Sequence, residues 1–282
     1  MLDLFDKKSK ELLGIDIGTK QIKMIELDKP AKKPILKNYA IIAVKDGDLQ
    51  KLTSKEIADI LKLAISQAKI KTKDTVMSLP AFSTFLALIK IPNAPENEEE
   101  LDQLIKIEAR KYIPVPLEEV SLGWARSNEQ ILLIAVPKDI VNRYGQIAQE
   151  AGLDLKALEA ETFSLARSLA SDVKESAVII DAGAHSTNVS LIENGKVKMN
   201  RTLEQPNPEQ IKNIINPSVK KIIFTGGKAT QELISNFNNF DSCEIGNPWQ
   251  NLIYPKELEP ILTSLSPSFA VAIGLALRGF NG

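Results

Sequence analysis

Two short segments of the chain combine a carboxylate with a glycine turn in a pattern suited to phosphate. Asp16 ends an apolar run and is followed two residues later by Gly18, and the same pattern recurs at Asp181 and Gly183. An aspartate at the end of a strand, followed by a glycine turn, places a carboxylate beside free backbone amides. Such amides bind phosphate oxygens, and the carboxylate holds Mg²⁺ through water. One copy is weak evidence, because similar turns occur in ordinary hairpins, but two copies favour a phosphate site.

Side chains close to each turn offer further groups for the same ligand. Thr19 adds a hydroxyl to the first turn, and Lys23 follows on the next strand, from which its ammonium can return to the phosphate oxygens. Ser186 and Thr187 add hydroxyls to the second turn. The sequence therefore predicts a phosphate site formed by Asp16, Gly18, Thr19, Lys23, Asp181, Gly183, Ser186 and Thr187, with Mg²⁺ held through water by the two aspartates.

A third glycine segment, Thr225-Gly226-Gly227-Lys228-Ala229, follows an apolar run at 219–224. Taken alone, it is best explained as a connection from a strand to a helix, in which the glycines only permit the turn.

The elements that position the first turn are predicted by short-range patterns. Apolar runs predict strands at 12–17, 21–27 and 35–44. Thr53 and Glu56 have the spacing of a capping box, which indicates the start of a helix. The apolar residues that follow lie at helical spacing, on one face: Ile57, Ile60, Leu61, Ala64, Ile65 and Ala68.

The rest of the chain alternates strand and helix patterns. Further strands are predicted at 76–79, 85–91, 120–124 and 131–136, and helices at 96–112 and 140–151. A second hairpin begins with a strand at 177–182, and Asn194-Gly195 supplies a turn into the strand at 196–202. The second hairpin resembles the first, so the chain is predicted to contain two diverged copies of one mixed α/β unit.

Composition narrows the function classes. The chain has 282 residues, of which 44% are hydrophobic and 25% charged, which is typical of a globular protein. A formal net charge of −1 gives no reason to expect nucleic acid binding. Cys243 is the single cysteine and excludes an internal disulfide. The charged N-terminal segment and the length of the apolar runs predict a protein that is neither secreted nor membrane-spanning.

Together, the two carboxylate turns and the glycine segment resemble the phosphate 1, phosphate 2 and adenosine motifs of the actin, Hsp70 and sugar-kinase ATPase superfamily. More narrowly, nearly the whole chain is similar to the PilM family, the FtsA-like cytoplasmic proteins of type IV pilus assembly. The segments that carry this narrower resemblance are 13–27, 107–120, 182–188, 246–248 and 269–278.

This resemblance implies an actin-like, ribonuclease H-like fold with a duplicated βββαβα unit, an inserted subdomain of the FtsA and PilM type, and a reduced subdomain 2B. It also implies ATP and Mg²⁺ as ligands, with Gly226 and Gly227 beneath the sugar and base. The expected division is a first half at 1–81, a partner-binding insert at 82–150, a connecting segment at 151–172, a second half at 173–267, and a C-terminal helix at 268–282.

The resemblance further implies a scaffold in the cytoplasm, placed at the inner membrane by its partner. That partner is the cytoplasmic N-terminal peptide of a PilN-like membrane protein, and motor components of a pilus or related type II secretion system are further candidates. The expected groove lies beside the insert, at Phe85, Leu86, Leu88 and Tyr112.

The chain departs from the family between Asp181 and Thr225, where little sequence remains for the helical subdomain 2B. We therefore expect weak ATP binding and negligible hydrolysis, for which Asp181 and Glu161 are the candidate residues. Two alternatives stay open: an active actin-like ATPase or sugar kinase, and an FtsA-like cell-division or filament protein. An FtsA-like protein is expected to end in an amphipathic helix, whereas this sequence ends at 277–282 after a core-type helix.

Overall fold

The computed structural model describes residues 2–3, 11–28, 33–44, 47–127, 130–216 and 218–280. The strands are β1 (Leu2–Asp3), β2 (Glu11–Ile17), β3 (Gln21–Asp28), β4 (Ile35–Ala43), β5 (Asp74–Leu79), β6 (Phe85–Ile89), β7 (Val120–Ser127), β8 (Gln130–Pro137), β9 (Asp154–Ala160), β10 (Ser176–Ala182), β11 (Ser186–Glu193), β12 (Lys196–Glu204), β13 (Lys221–Thr225) and β14 (Ser242–Ile245). The α-helices are α1 (Ser54–Gln67), α2 (Glu98–Ala109), α3 (Lys138–Ala151), α4 (Glu161–Leu169), α5 (Pro208–Lys212), α6 (Gln231–Ser235) and α7 (Glu259–Leu277).

The two large sheets repeat one topology. Their strand orders are β1-β9-β5-β2-β3-β4 and β12-β11-β10-β13-β14. In each sheet three consecutive strands pair antiparallel, and two later strands add in parallel next to the first of the three. The helices correspond as well, since α1, α3 and α4 take the same places in the first half as α5, α6 and α7 in the second. The predicted duplication is therefore confirmed.

A small third sheet, ordered β6-β8-β7, interrupts the first half between β5 and α3. α2 packs on one face of this sheet through Leu101, Ile105 and Ala109. The predicted insert, 82–150, contains this unit and also α3. However, α3 packs with the first half, because Tyr144 and Ile147 belong to the same apolar core as α1. Its place in the repeat is that of α6.

α4 and α7 lie between the two large sheets and join them. Residues of both helices share one core with β2 and β5 of the first half and with β10 and β13 of the second. The helices cross so closely that a Cβ at Gly274 would lie 2.0 Å from the carbonyl oxygen of Ser164. Among the described residues, one segment is long and apolar enough to span a membrane, Lys256–Phe280, and 61% of its most apolar stretch is buried.

Local signals fix several element ends. The side chain of Thr53 accepts a hydrogen bond from the amide of Glu56 and completes the predicted capping box of α1. Gly152 ends α3 in the left-handed conformation, with φ of 73°. α2 ends at Ala109, three residues before its predicted end, and the amides of Lys111 and Tyr112 form turn-type hydrogen bonds to the carbonyls of Glu108 and Ala109; Pro114 then prevents the helix from resuming.

Candidate functional site

The first phosphate-type turn connects β2 to β3. The amide of Gly18 donates to the carbonyl of Gln21 at 3.0 Å, which closes the turn. Asp16 faces Lys23 across the strand pair, and Lys23 Nζ donates to Asp16 Oδ2 at 3.0 Å. Ser78, from the neighbouring β5, donates its hydroxyl to Asp16 Oδ1 at 3.0 Å. Asp16 is only 4% exposed, so its charge is matched by a buried ion pair and a second hydrogen bond.

The second turn connects β10 to β11 and has the same backbone geometry. Here the amide of Gly183 donates to the carbonyl of Ser186 at 3.0 Å. Asp181 faces Asn188 across the strand pair and is hydrogen-bonded by it. The Oδ1 of Asn188 accepts from the hydroxyl of Thr202 at 2.8 Å, which leaves the amide group of Asn188 to donate to Asp181. The two turns therefore match in backbone but differ in the partner of the aspartate.

The glycine segment after β13 lies against the second turn. Gly226 has φ of +89°, and a Cβ there would lie 2.4 Å from Asp181 Oδ1 and 2.5 Å from the carbonyl oxygen of Ala182. Only glycine fits this position without displacing the aspartate. The segment is fastened by Lys228, whose amide donates to the carbonyl of Ala182 at 2.9 Å and whose ammonium donates to that of Ala184 at 2.6 Å.

These three segments line one cleft between the two halves, with a volume of about 270 Å³. Of the phosphate and nucleotide residues that the sequence predicts, those that line it are Asp16, Gly18, Thr19, Lys23, Asp181, Gly183, Ser186, Gly226 and Gly227. Glu161 lines it too. Thr187 does not, because its side chain is buried within the second sheet.

Three carboxylates in this cleft surround one buried lysine. Burial raises the pKa of Asp181 to about 6, and the negative charge of Asp16 contributes in the same direction. Burial also raises the pKa of Glu161 well above its ordinary value, with further contributions from Asp16 and Asp181. For Lys23, burial lowers the pKa, but the charge and hydrogen bond of Asp16 outweigh it and the pKa is raised. The buried carboxyls of Glu161 and Asp181 therefore keep their protons to a higher pH than exposed carboxyls do.

A family model described as "Type IV pilus assembly protein PilM" matches residues 14–215. The chain belongs to the PilM family. The matched range contains both carboxylate turns, the third sheet and α5.

Solved structures support the fold. The chain is similar to one in a PilM-PilN type IV pilus biogenesis complex, with a TM-score of 0.80 and 21% identity over 98% of this chain and 100% of the other. It is similar to the cytoplasmic domain of EpsL, an inner membrane component of the type II secretion system of Vibrio cholerae, with a TM-score of 0.53 and 12% identity over 90% and 93%.

A third similar structure, from Bacteroides thetaiotaomicron, is described as having an actin-like ATPase fold and unknown function. The TM-score is 0.54 with 13% identity, covering 93% of this chain and 99% of the other. The expected PilM-type, actin-like fold is confirmed by these likenesses.

The cleft of this PilM-family chain also includes residues that sequence reasoning missed. Asn188 occupies in the second copy the position of Lys23 in the first, so the internal repeat contained a signal for it. Pro80, Ala81 and Phe82 line the cleft from the turn between β5 and β6. The amide of Ala81 donates to Glu161 Oε2 at 3.3 Å, a contact between residues far apart in sequence that no local pattern indicates.

The four predicted partner residues are spread over the third sheet and its helix. Phe85 packs towards α2, whereas Leu86, the next residue of β6, packs towards the first-half core. Leu88 is half-buried. Tyr112, just beyond α2, is 43% exposed. Thus Leu88 and Tyr112 offer accessible apolar surface, and Phe85 and Leu86 anchor the strand from its two faces.

A second polar cluster lies outside the cleft and holds the fold together. Glu159, at the end of β9, is fully buried and accepts hydrogen bonds from Ser164, Arg167 and Arg278. Burial acts to raise the pKa of Glu159, but the two guanidinium groups outweigh it and the pKa is lowered. This network ties β9 to α4 and to the end of α7.

Proposed function

We propose that this chain is a cytoplasmic scaffold of type IV pilus assembly that binds the N-terminal peptide of a PilN-like inner-membrane protein. The observation that carries the proposal is the likeness over 98% of the chain to a structure described as a PilM-PilN complex. Membership of the PilM family supports the same role. The membrane association in this proposal comes from the partner.

The third sheet has features that suit an extended peptide. β6 lies at one end of the sheet, and within the described residues it pairs with β8 alone, so its other backbone edge is open to strand addition. The exposed part of Tyr112 and the half-buried Leu88 provide apolar contacts beside this unit. Aromatic residues contribute strongly to binding when they become buried in an interface.

A labelled PilN-type N-terminal peptide tests the partner assignment by fluorescence anisotropy. We expect micromolar or tighter binding to the wild-type protein, and a loss of about tenfold, ~1.4 kcal/mol, in Tyr112→Ala. Leu88→Asp is expected to weaken binding as well. Leu63→Ala is the matched control, because Leu63 is 60% exposed on α1, away from the third sheet. No binding to folded wild-type protein would refute the assignment.

We also propose that the cleft binds Mg-ATP weakly. The Gly18 and Gly183 turns both line the cleft, and Asp181 is the carboxylate that can hold a hydrated cation, since Asp16 is paired with Lys23. A bound Mg²⁺ would favour the ionised form of Asp181, whose pKa is raised by burial and by the charge of Asp16. The residues present therefore fit both groups. Titration calorimetry with Mg-ATP, with and without EDTA, measures this affinity and its dependence on the cation.

The second candidate function is an active ATPase, favoured by the position of Glu161 and Asp181 in the same cleft with raised pKa values. A carboxylate with a pKa near neutrality can accept a proton from water. We expect negligible phosphate release from ATP. Robust release that disappears in Asp181→Ala would establish the ATPase instead of the scaffold with a binding cleft.

A further inference from the structure

We infer that Lys228 is a phosphate-binding residue of the cleft, because it brings an ammonium group to the second phosphate-type turn. This inference rests on the proposed nucleotide cleft and names a residue that would bind the phosphate chain there. It follows from how the two copies differ at one position, from the hydrogen bonds that hold Lys228, and from the open space beside it.

The second copy lacks the lysine that the first copy has opposite its aspartate. Lys23 faces Asp16 across the first strand pair, whereas Asn188 faces Asp181 across the second. The ammonium of Lys23 donates to Asp16 Oδ2 at 3.0 Å, so this lysine and its aspartate together carry no net charge. A triphosphate carries several negative charges, and phosphate oxygens form their stronger hydrogen bonds with charged donors. A cation for the second turn must therefore come from another segment.

Lys228 follows β13 and lies along the second turn. Its backbone amide donates to the carbonyl of Ala182 at 2.9 Å, and its ammonium donates to the carbonyl of Ala184 at 2.6 Å. Ala182 and Ala184 are the two neighbours of Gly183 in the chain, so the side chain of Lys228 passes this glycine. Lys228, Gly183 and Ala184 all line the cleft. Contacts with the backbone thus hold a positive charge at the second turn.

The ammonium of Lys228 keeps the capacity to bind a ligand. An ammonium group has three N–H donors, and the carbonyl of Ala184 accepts one of them. Among the described residues, the partner of this ammonium is that carbonyl and not a carboxylate, so no ion pair neutralises its charge. Lys228 is exposed, and a Cβ added at Gly227, the preceding residue of the lining, would have no heavy atom within 4 Å. Phosphate oxygens therefore have room on this side.

The other basic residues of the lining are placed differently. Lys20 follows the first turn, but its ammonium donates to the carbonyl of Gly47, which does not line the cleft. His185 belongs to the second turn, and its imidazole is positively charged only when both ring nitrogens carry a proton. Among the described residues of the lining, Lys228 is thus the lysine whose ammonium is bonded within the lining without a carboxylate partner.

Isothermal titration of the full chain with the Mg²⁺ complexes of ATP and of inorganic triphosphate tests this inference. We expect Lys228→Met to weaken both ligands at least about fivefold, because both contain the phosphate chain. Lys228→Arg keeps a positive charge and should bind both more tightly than Lys228→Met does. Lys220→Met is the matched control and should change neither affinity. It removes the same charge from the exposed start of β13, where Lys220 pairs with Glu175, whereas Thr225 at the other end lines the cleft.

Ionic strength separates a charge contact from support of the turn. Salt screens the attraction between an exposed ammonium and phosphate, so the difference between the wild type and Lys228→Met should shrink at about 0.5 M KCl. A difference of equal size at low and high salt, or an equal loss in Lys228→Met and Lys228→Arg, would show that Lys228 only holds the turn.

The inference and the proposed cleft can fail separately. Wild-type affinity in Lys228→Met would overturn the role of Lys228 and leave the proposed nucleotide cleft standing. Absence of binding of both ligands to the wild-type protein at millimolar concentration would instead refute the cleft as a ligand site.

Discussion

The two phosphate-type turns are closed by the same backbone hydrogen bond but differ in the residue that contacts the aspartate. In the first, Asp16 is neutralised by Lys23 and receives a second hydrogen bond from Ser78. In the second, Asn188 replaces the lysine, and Thr225, which pairs with Asp181 as its parallel neighbour, donates its hydroxyl to the carbonyl of Pro267. A duplicated unit has thus diverged into one aspartate that is paired with a lysine and one that is hydrogen-bonded by an asparagine and has a raised pKa.

The largest expected effect comes from removing the charge that distinguishes the first turn. Lys23→Met leaves Asp16 buried beside Glu161 and Asp181 without its cation, so we expect a loss of about 3–5 kcal/mol in unfolding free energy. Urea denaturation measures it. The double variant Asp16→Asn/Lys23→Met should recover at least half of the loss. A double variant as unstable as the single one would show that Lys23 stabilises the protein by packing and not by its charge.

Gly226→Ala tests the close contact of the glycine segment with the second turn. The left-handed backbone and the 2.4 Å approach of the new Cβ to Asp181 Oδ1 predict a cost of roughly 1–3 kcal/mol. Thermal denaturation should show a lower Tm. Gly227→Ala is the matched control, since a Cβ there meets nothing within 4 Å. Equal effects of the two substitutions would remove the argument that Asp181 requires glycine beside it.

Each aspartate has a hydroxyl-bearing residue on the neighbouring parallel strand, Ser78 in the first copy and Thr225 in the second, and substituting these residues tests how the two turns differ. Ser78→Ala removes a donor from the buried Asp16, and we expect a destabilisation of about 1–2 kcal/mol, which should be smaller when the same substitution is made in the Asp16→Asn variant, whose acceptor carries no charge. In the second copy, Thr225→Ser keeps the hydroxyl and should leave the pKa of Asp181 unchanged, as followed by NMR titration. Non-additive behaviour at the first site and independence at the second would agree with the described hydrogen bonds.

The smallest expected effect is a pH-dependent gain in stability in Asp181→Asn. Because the folded pKa is about 6 against an ordinary 3.8, the folded state binds more protons than the unfolded state between these values, and stability falls as pH rises through this range. Removing the carboxyl should therefore raise stability by about 1 kcal/mol at pH 7.5, or roughly 2–4 °C in Tm. The gain should vanish near pH 4. A gain of equal size at both pH values would contradict a raised pKa.

The sequence predicted the parts of the site that depend on local spacing. The Asp16 and Asp181 turns were recognisable because an aspartate, a glycine and a following strand lie within a few residues, and repetition strengthened the interpretation. Aligning the two copies also identifies Asn188 as a residue of the site, because it follows Asp181 at the interval that separates Lys23 from Asp16.

Other features depend on packing between distant segments and have no local signal. The contact of Ala81 with Glu161 and the position of Phe82 arise because the end of β5 meets the start of α4. Likewise, the periodicity of α3 predicts a helix but not the sheet on which it packs. Lys23 was predicted as a phosphate ligand, and its pairing with Asp16 adds a structural role that spacing alone does not reveal.

The helices α4 and α7, which join the two large sheets, also constrain how the protein folds during its synthesis. α7 is the last helix in chain order, yet its residues complete a core that contains parts of both large sheets, and Arg278 beyond it reaches the buried Glu159. During synthesis on the ribosome, both halves would be translated before the helix that covers their facing surfaces emerges. The nascent chain therefore carries uncovered apolar sheet faces until α7 has left the ribosome, and the docking of α7 completes the core that the two large sheets share.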